Sequence, residues 1–186
     1  MTTSSLTQVP GYVVGTWTID PTHSDASFTV RHMMVSKVRG SFRTVAGAIV
    51  TAADPLASSA TATIELASLD TNNEQRDNHV RSADFFDVAN HPRMTFVSTA
   101  LRPAGDGFEL DGKLTLHGVT KPVTLALEIN GIGPDGYGGT RIGFSASGKI
   151  DRTDFGVSYN GPIPGGGSVL SDSVTLNIEV EAVLQP

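Results

Sequence analysis

The stretch Asn72 to Phe86, NNEQRDNHVRSADFF, holds five charged side chains in fifteen residues and no strand-like alternation. At its centre, Arg76 and His79 are i, i+3 neighbours on a helix, with Asp77 beside them. Such a set suits acid-base work, with His79 and Asp77 exchanging protons near a bound substrate. It suits anion binding equally, because Arg76 and His79 offer charge-assisted donors on one helical face. The plainer alternative is a capped surface helix whose charges pair locally. Thr71 and Glu74, three apart ahead of Val80 and Ala83, read as a capping box, and His91-Pro92 closes the segment.

A second charged cluster is Asp151-Arg152-Thr153-Asp154. Its two carboxylates match an acid-base pair, but the pattern also fits a turn at a strand end. Arg152 and Lys121 are weaker candidates for anion binding. The histidines His23, His32, His79, His91 and His117 lack the i, i+4 spacing of a helical metal motif, and no cysteine assists them. The sequence therefore calls for no metal and no cofactor, with a metal site assembled from distant strands left as the alternative.

Other short motifs dissolve on inspection. Gly131 to Gly136 matches the glycine spacing of a dinucleotide loop, yet Pro134-Asp135-Gly136 is turn chemistry and a strand follows where a helix is needed. Gly143-Phe144-Ser145 lies within an alternating run rather than at a nucleophile elbow. Gly165 to Ser168 lacks the lysine of a phosphate loop and reads as a flexible rim.

The elements that must position these residues are strands. Val174, Leu176, Ile178 and Val180 alternate with Thr175, Asn177, Glu179 and Glu181, and similar alternation places Phe28, Val30, Phe96, Leu114, Leu116, Leu125, Leu127 and Phe144 on apolar faces. About eight strands are expected: Thr16 to His32 (broken near Asp20-Pro21), Val38 to Val50, Ser58 to Leu69, Met94 to Leu101, Phe108 to Leu116, Val123 to Asn130, Arg141 to Ile150 and Ser173 to Val183. In Val38 to Val50 the apolar parity passes from Val38 and Phe42 to Val45 and Ile49, which predicts a bulge. Short connections favour antiparallel hairpins, and closure into a barrel removes exposed edges. The fold class is thus all-β: an eight-stranded antiparallel barrel with one or two short helices inserted after the third strand. Residues 1–14 read as an N-terminal extension and residues 15–184 as the barrel.

A barrel of this size lies between a filled core and a ligand cavity. Phe28, Phe42, Phe96 and Phe144 are large enough to fill it, whereas Gly40, Ala46, Ala48, Ala62, Ala146 and Gly148, on or near inward parity, leave room. The chain has 186 residues and a net charge of -6, without the basic surplus that a nucleic acid partner requires. Neither a secretory leader nor an apolar run of membrane-spanning length is evident, so the expectation is a soluble, cytoplasmic protein with no stable membrane insertion. Self-association into a homodimer stays open.

Four segments, TWTIDPTHSDASFTVRHMMVSKVRGSF, RDNHVRSADFFDVANHP, LTLHGVTKPV and GFSASGKIDRTDFG, occur in an order that resembles the YceI-like family of polyisoprenoid-binding, lipocalin-like proteins. The resemblance runs from about Gly15 to about Ala182. It implies a lipocalin-like barrel enclosing an apolar tunnel for a long-chain isoprenoid, a polyprenyl phosphate or isoprenoid quinone, or another amphiphilic lipid. Many relatives are exported, unlike the setting expected here. On this reading the tail contacts are Phe28, Val30, Phe42, Ile64, Leu66, Phe96, Leu114, Leu116, Leu125, Leu127, Phe144, Leu176 and Ile178, and Arg76 with His79 reads a head group. The expected role is binding, storage or transport rather than catalysis. The competing expectation is an enzyme acting on a lipid-like substrate through His79 and Asp77, or Asp151 and Asp154.

Overall fold

The computed structural model describes residues 9–186, so most of the expected N-terminal extension lies outside the described residues. Its strands are β1 (Gly15–Ile19), β2 (Asp25–His32), β3 (Ser36–Phe42), β4 (Val45–Thr51), β5 (Ser59–Glu65), β6 (Leu69–Asp70), β7 (Arg93–Ala104), β8 (Gly107–Leu116), β9 (Val119–Pro134), β10 (Thr140–Asp151) and β11 (Leu170–Leu184). These pieces amount to eight staves. The pairs β1/β2, β3/β4 and β5/β6 are each one stave with a break, and the remaining five are continuous. All pairings are antiparallel, and each joins staves adjacent in sequence until β11 returns to close the ring. The closing registers are Trp17↔Leu184 on β1 and Phe28↔Leu176 on β2.

The breaks fall where the alternation slips. Arg43 and Thr44 separate β3 from β4, as the parity change predicts. After this slip the inward residues are Val45, Gly47 and Ile49. Ala46 is accordingly exposed and neither it nor Ala48 reaches the lumen, contrary to the expectation that both leave room inside.

Pairing between the third and fourth staves ends at Glu65↔Arg93. Beyond it the chain forms a short 3-10 turn, Leu66–Ser68, then β6 and one α-helix, α1 (Glu74–Arg81). Asn73 is the N-cap, its Oδ1 accepting the Arg76 N–H at 2.9 Å. The capping box expected at Thr71 and Glu74 is not formed, because the Thr71 hydroxyl donates instead to Asp77 Oδ1 at 2.6 Å. Arg81 replaces missing sheet partners by donating to the carbonyls of Ala67 and Leu69.

Two apolar clusters hold the ends. Trp17, Ile19, Ile49, Ile142 and Ala182 pack beside the seam, with Trp17 Nε1 donating to Thr51 Oγ1 at 2.8 Å. Under α1 a second cluster joins Phe42, Leu66, Leu69, Phe85, Leu114 and Phe155. Among the described residues, no helix is long and apolar enough to cross a membrane.

Candidate functional site: an apolar lumen with a cationic rim

Between the two clusters lies a cavity of about 790 Å³. Pockets that take drug-sized or cofactor-sized ligands span roughly 300–1,000 Å³. Its wall is assembled by strand alternation. Phe28 and Val30 come from β2, Phe42 from β3, Ile64 from β5, Phe96 from β7, Leu114 and Leu116 from β8, Leu125 and Leu127 from β9, Phe144 from β10, and Leu176 and Ile178 from β11. Leu66 is the exception among the expected wall residues. It is fully buried in the 3-10 turn and packs in the cluster beneath α1, away from the lumen.

The large aromatics do not fill the barrel, for a local reason. A Cβ on Gly40 would sit 2.6 Å from Phe28 Cζ, and one on Gly112 would collide with the Phe96 ring. Both rings therefore take the space that a side chain at these glycines would occupy. Ala62 and Ala146 line the lumen as expected. Gly148 leaves less room than expected, since Leu125 occupies the space beside it.

Wall contributors outside the strands escaped the alternation reading. Val80, Phe85 and Phe86 come from α1 and the turn after it, and Val157, Tyr159 and Val169 from the loop before β11. The adjacent Phe85 and Phe86 were the available signal, because two neighbouring aromatics in a polar segment need somewhere to bury.

Arg76 and His79 both reach the cavity margin and both are exposed. Arg76 donates through Nε to Thr71 Oγ1 and through Nη2 to Thr71 O, each at 2.8 Å, which leaves Nη1 uncommitted among the described residues. The buried Asp77 accepts from Thr71 N at 2.9 Å and from its hydroxyl, so it fixes the loop that aims Arg76. His79 does not pair with Asp77. Its Nε2 lies 2.8 Å from Asp84 Oδ2, and its ring meets Phe85 and Tyr159 edge-on. Asp151 caps the turn Arg152–Phe155 by accepting from Thr153, and neither it nor Asp154 lines the cavity. Neither expected acid-base pair is assembled.

Arg152 is buried and spends its donors on the carbonyls of Ser171, Val157 and Tyr159. Burial pulls its guanidinium below its ordinary value, with Asp172 and Asp151 opposing. It is a clamp on the rim loop more than a free anion site. Lys121 is exposed and away from the lumen.

One group could hold a cation. Asp87, His91 and His117 present ligand atoms within 4.8 Å of one another. His117 Nδ1 also lies 3.2 Å from Phe155 O, a contact that would leave Nε2 free when Nδ1 carries the proton. The second such group, Asp20, His23 and Glu181, is already engaged by Arg141.

The YceI-like domain model matches residues 17–182. The chain belongs to the YceI-like family. Protein YceI of Escherichia coli O17:K52:H18 (strain UMN026 / ExPEC) is 41% identical over 165 residues, covering 88% of this chain and 83% of that protein. Among solved structures, the Campylobacter jejuni YCEI protein is similar at 34% identity with a TM-score of 0.72, covering 84% of this chain and 90% of the other. A polyisoprenoid binding domain from Saccharophagus degradans implicated in plant cell wall breakdown shares the fold, at 17% identity and a TM-score of 0.71 over 93% of this chain and all of its own (100%).

Proposed function

We propose that this member of the YceI-like family is a carrier or store for a long-chain isoprenoid, held tail-first in the barrel. The observation that carries the reading is the lumen itself: about 790 Å³ whose wall is overwhelmingly aliphatic and aromatic. At ~30 Å³ per water-sized group that space takes on the order of 25 such groups, close to a tail of four or five isoprene units. Burying about 20 tail carbons at ~0.8 kcal/mol each supplies roughly 16 kcal/mol gross. Immobilising the tail offsets much of this. A head-group contact is then needed for orientation and selection more than for affinity, and Arg76 with its uncommitted Nη1 is the group suited to a phosphate. The polyisoprenoid binding domain of similar fold supports the same ligand class.

The cytoplasmic setting expected from the sequence, and the division into an extension (1–14) and barrel (15–184), belong to the same proposal. Cell fractionation and limited proteolysis test them. The function is tested by solvent extraction of protein purified from its own cells, followed by mass spectrometry. A prenyl quinone or polyprenyl phosphate recovered intact supports the carrier. Chemical turnover of a supplied prenyl lipid, or recovery of only a small polar metabolite, overturns it.

A further inference from the structure

The hairpin between β2 and β3 breaks several local rules at once. Its tip is Met33-Met34-Val35, with exposures of 45%, 65% and 84%. Met33 and Met34 both adopt left-handed backbone, at φ 50° and 60°. A tight hairpin normally gives those positions to Asn or Gly, whereas here they are taken by methionines with much of their surface exposed. Directly behind the tip, Arg31 and Lys37 face each other across the strands, and Arg39 follows opposite Thr29. Like charges in register destabilise a strand pair. All three cations are exposed, and none has an ion-pairing carboxylate among the described residues. The nearby Asp172 is held by Arg152.

Left-handed backbone, an apolar tip and a cationic collar are explained together by an external surface with the same layering. An anionic bilayer has it: apolar interior, negative interface. The tip is also continuous with the cavity, because His32 and Ser36, at its base, line the lumen, and Met33 N donates to Val169 O on the rim loop at 2.7 Å.

We propose that the Met33-Met34-Val35 tip docks peripherally into anionic bilayers and seats the mouth of the lumen on the membrane surface. The contact is a shallow wedge held by three residues and their collar, and it is compatible with a net charge of -6 because the attraction is local. It deepens the carrier reading, on which its purpose rests, but docking itself does not require a prenyl ligand.

The test is co-sedimentation of the full chain with phosphatidylcholine vesicles containing phosphatidylglycerol, and with phosphatidylcholine alone. Binding is expected to the anionic vesicles and to fall with salt. Each collar cation near the surface contributes roughly fivefold, so Arg31→Gln with Arg39→Gln lowers partitioning about 25-fold. Met34→Asp with Val35→Ser abolishes it. Solution binding of a dansyl-labelled farnesyl probe checks that these variants keep the lumen. Wild-type protein that ignores anionic vesicles, or tip variants that sediment like wild type, overturns the proposal. So does a wild-type dimer in analytical ultracentrifugation that Met34→Asp with Val35→Ser converts to monomer, since the tip would then bind a second copy. If wild type docks but the probe does not bind, docking stands and the carrier reading fails.

Discussion

Gly40 is buried, and a side chain there would have nowhere to go except through the Phe28 ring and Thr71 Cγ2, 3.0 Å away. The absence of a Cβ thus decides the position of a ring, and the ring decides how much of the barrel is hollow. Gly40→Ala should destabilise the protein by about 1–3 kcal/mol and swing Phe28 toward the lumen, lowering tail affinity. Phe28→Leu in the same chain should restore much of the stability, which paired urea melts would show. On the opposite wall, Leu127→Trp adds apolar volume where Leu127 lines the cavity. It should leave the fold intact and weaken long-tail binding. A folded variant with parental affinity would place the tail elsewhere. For the head group, loss of a charged hydrogen bond is worth about 1.5–3 kcal/mol, so Arg76→Met should weaken a polyprenyl phosphate roughly 10- to 150-fold. A neutral quinone should be almost unaffected. Equal weakening of both in calorimetry would reduce Arg76 to a support for Thr71.

At the scale of elements, the breaks in the first three staves do most to shape the site. The first, between β1 and β2, is held by Arg141 on β10, whose Nη1 lies 2.6 Å from both Asp20 Oδ2 and Glu181 Oε1 and whose Nε is 3.2 Å from Asp135 Oδ2. The Arg141 guanidinium, with help from His23 and Thr22, holds the Asp20 carboxyl well below the usual carboxylate range. Asp135 is lowered chiefly by the N–H groups of Gly139 and Tyr137. A carboxylate with a lowered folded pKa contributes its stability above its unfolded value of about 3.9 and loses it as pH falls through the folded one. Arg141→Met should therefore unfold at lower urea than wild type at neutral pH, with the two curves converging in acid. A constant offset down to the lowest pH would show that the side chain acts by packing. These staves, including the slip at Arg43-Thr44, were legible because alternation is a local signal. The phase after a slip was less so: Ala46 and Ala48 were given the parity of the preceding half. Leu66 was misplaced because a 3-10 turn interrupts the alternation there. The N-cap moved from Thr71 to Asn73 because Asp77, four residues beyond the cap, captures the Thr71 hydroxyl, a contact that spacing alone does not reveal. The lumen wall was largely legible. The rim was not, since loops that fold over a barrel mouth carry no periodicity.

For the molecule as a whole, a hollow barrel leaves stability unclaimed until a guest arrives. A ligand at 100 times its dissociation constant adds about 2.7 kcal/mol, equivalent to an upward shift of roughly 5–10 °C in the melting temperature for a domain of this size. Differential scanning fluorimetry with and without a prenyl alcohol reads this directly, and no shift at saturating ligand would argue against an internal site. The seam carries a different consequence, one of timing. Every other stave pairs with its neighbour in sequence, but closure brings residue 17 beside residue 184. Loop-closure entropy makes that pairing the slowest to gain. During synthesis the chain is therefore an open, curling sheet with two bare edges and an oily face until the 15 residues of β11 emerge. No lumen exists before that moment. Loading must then follow completion of the polypeptide, and the half-made sheet depends on whatever shields nascent chains from one another.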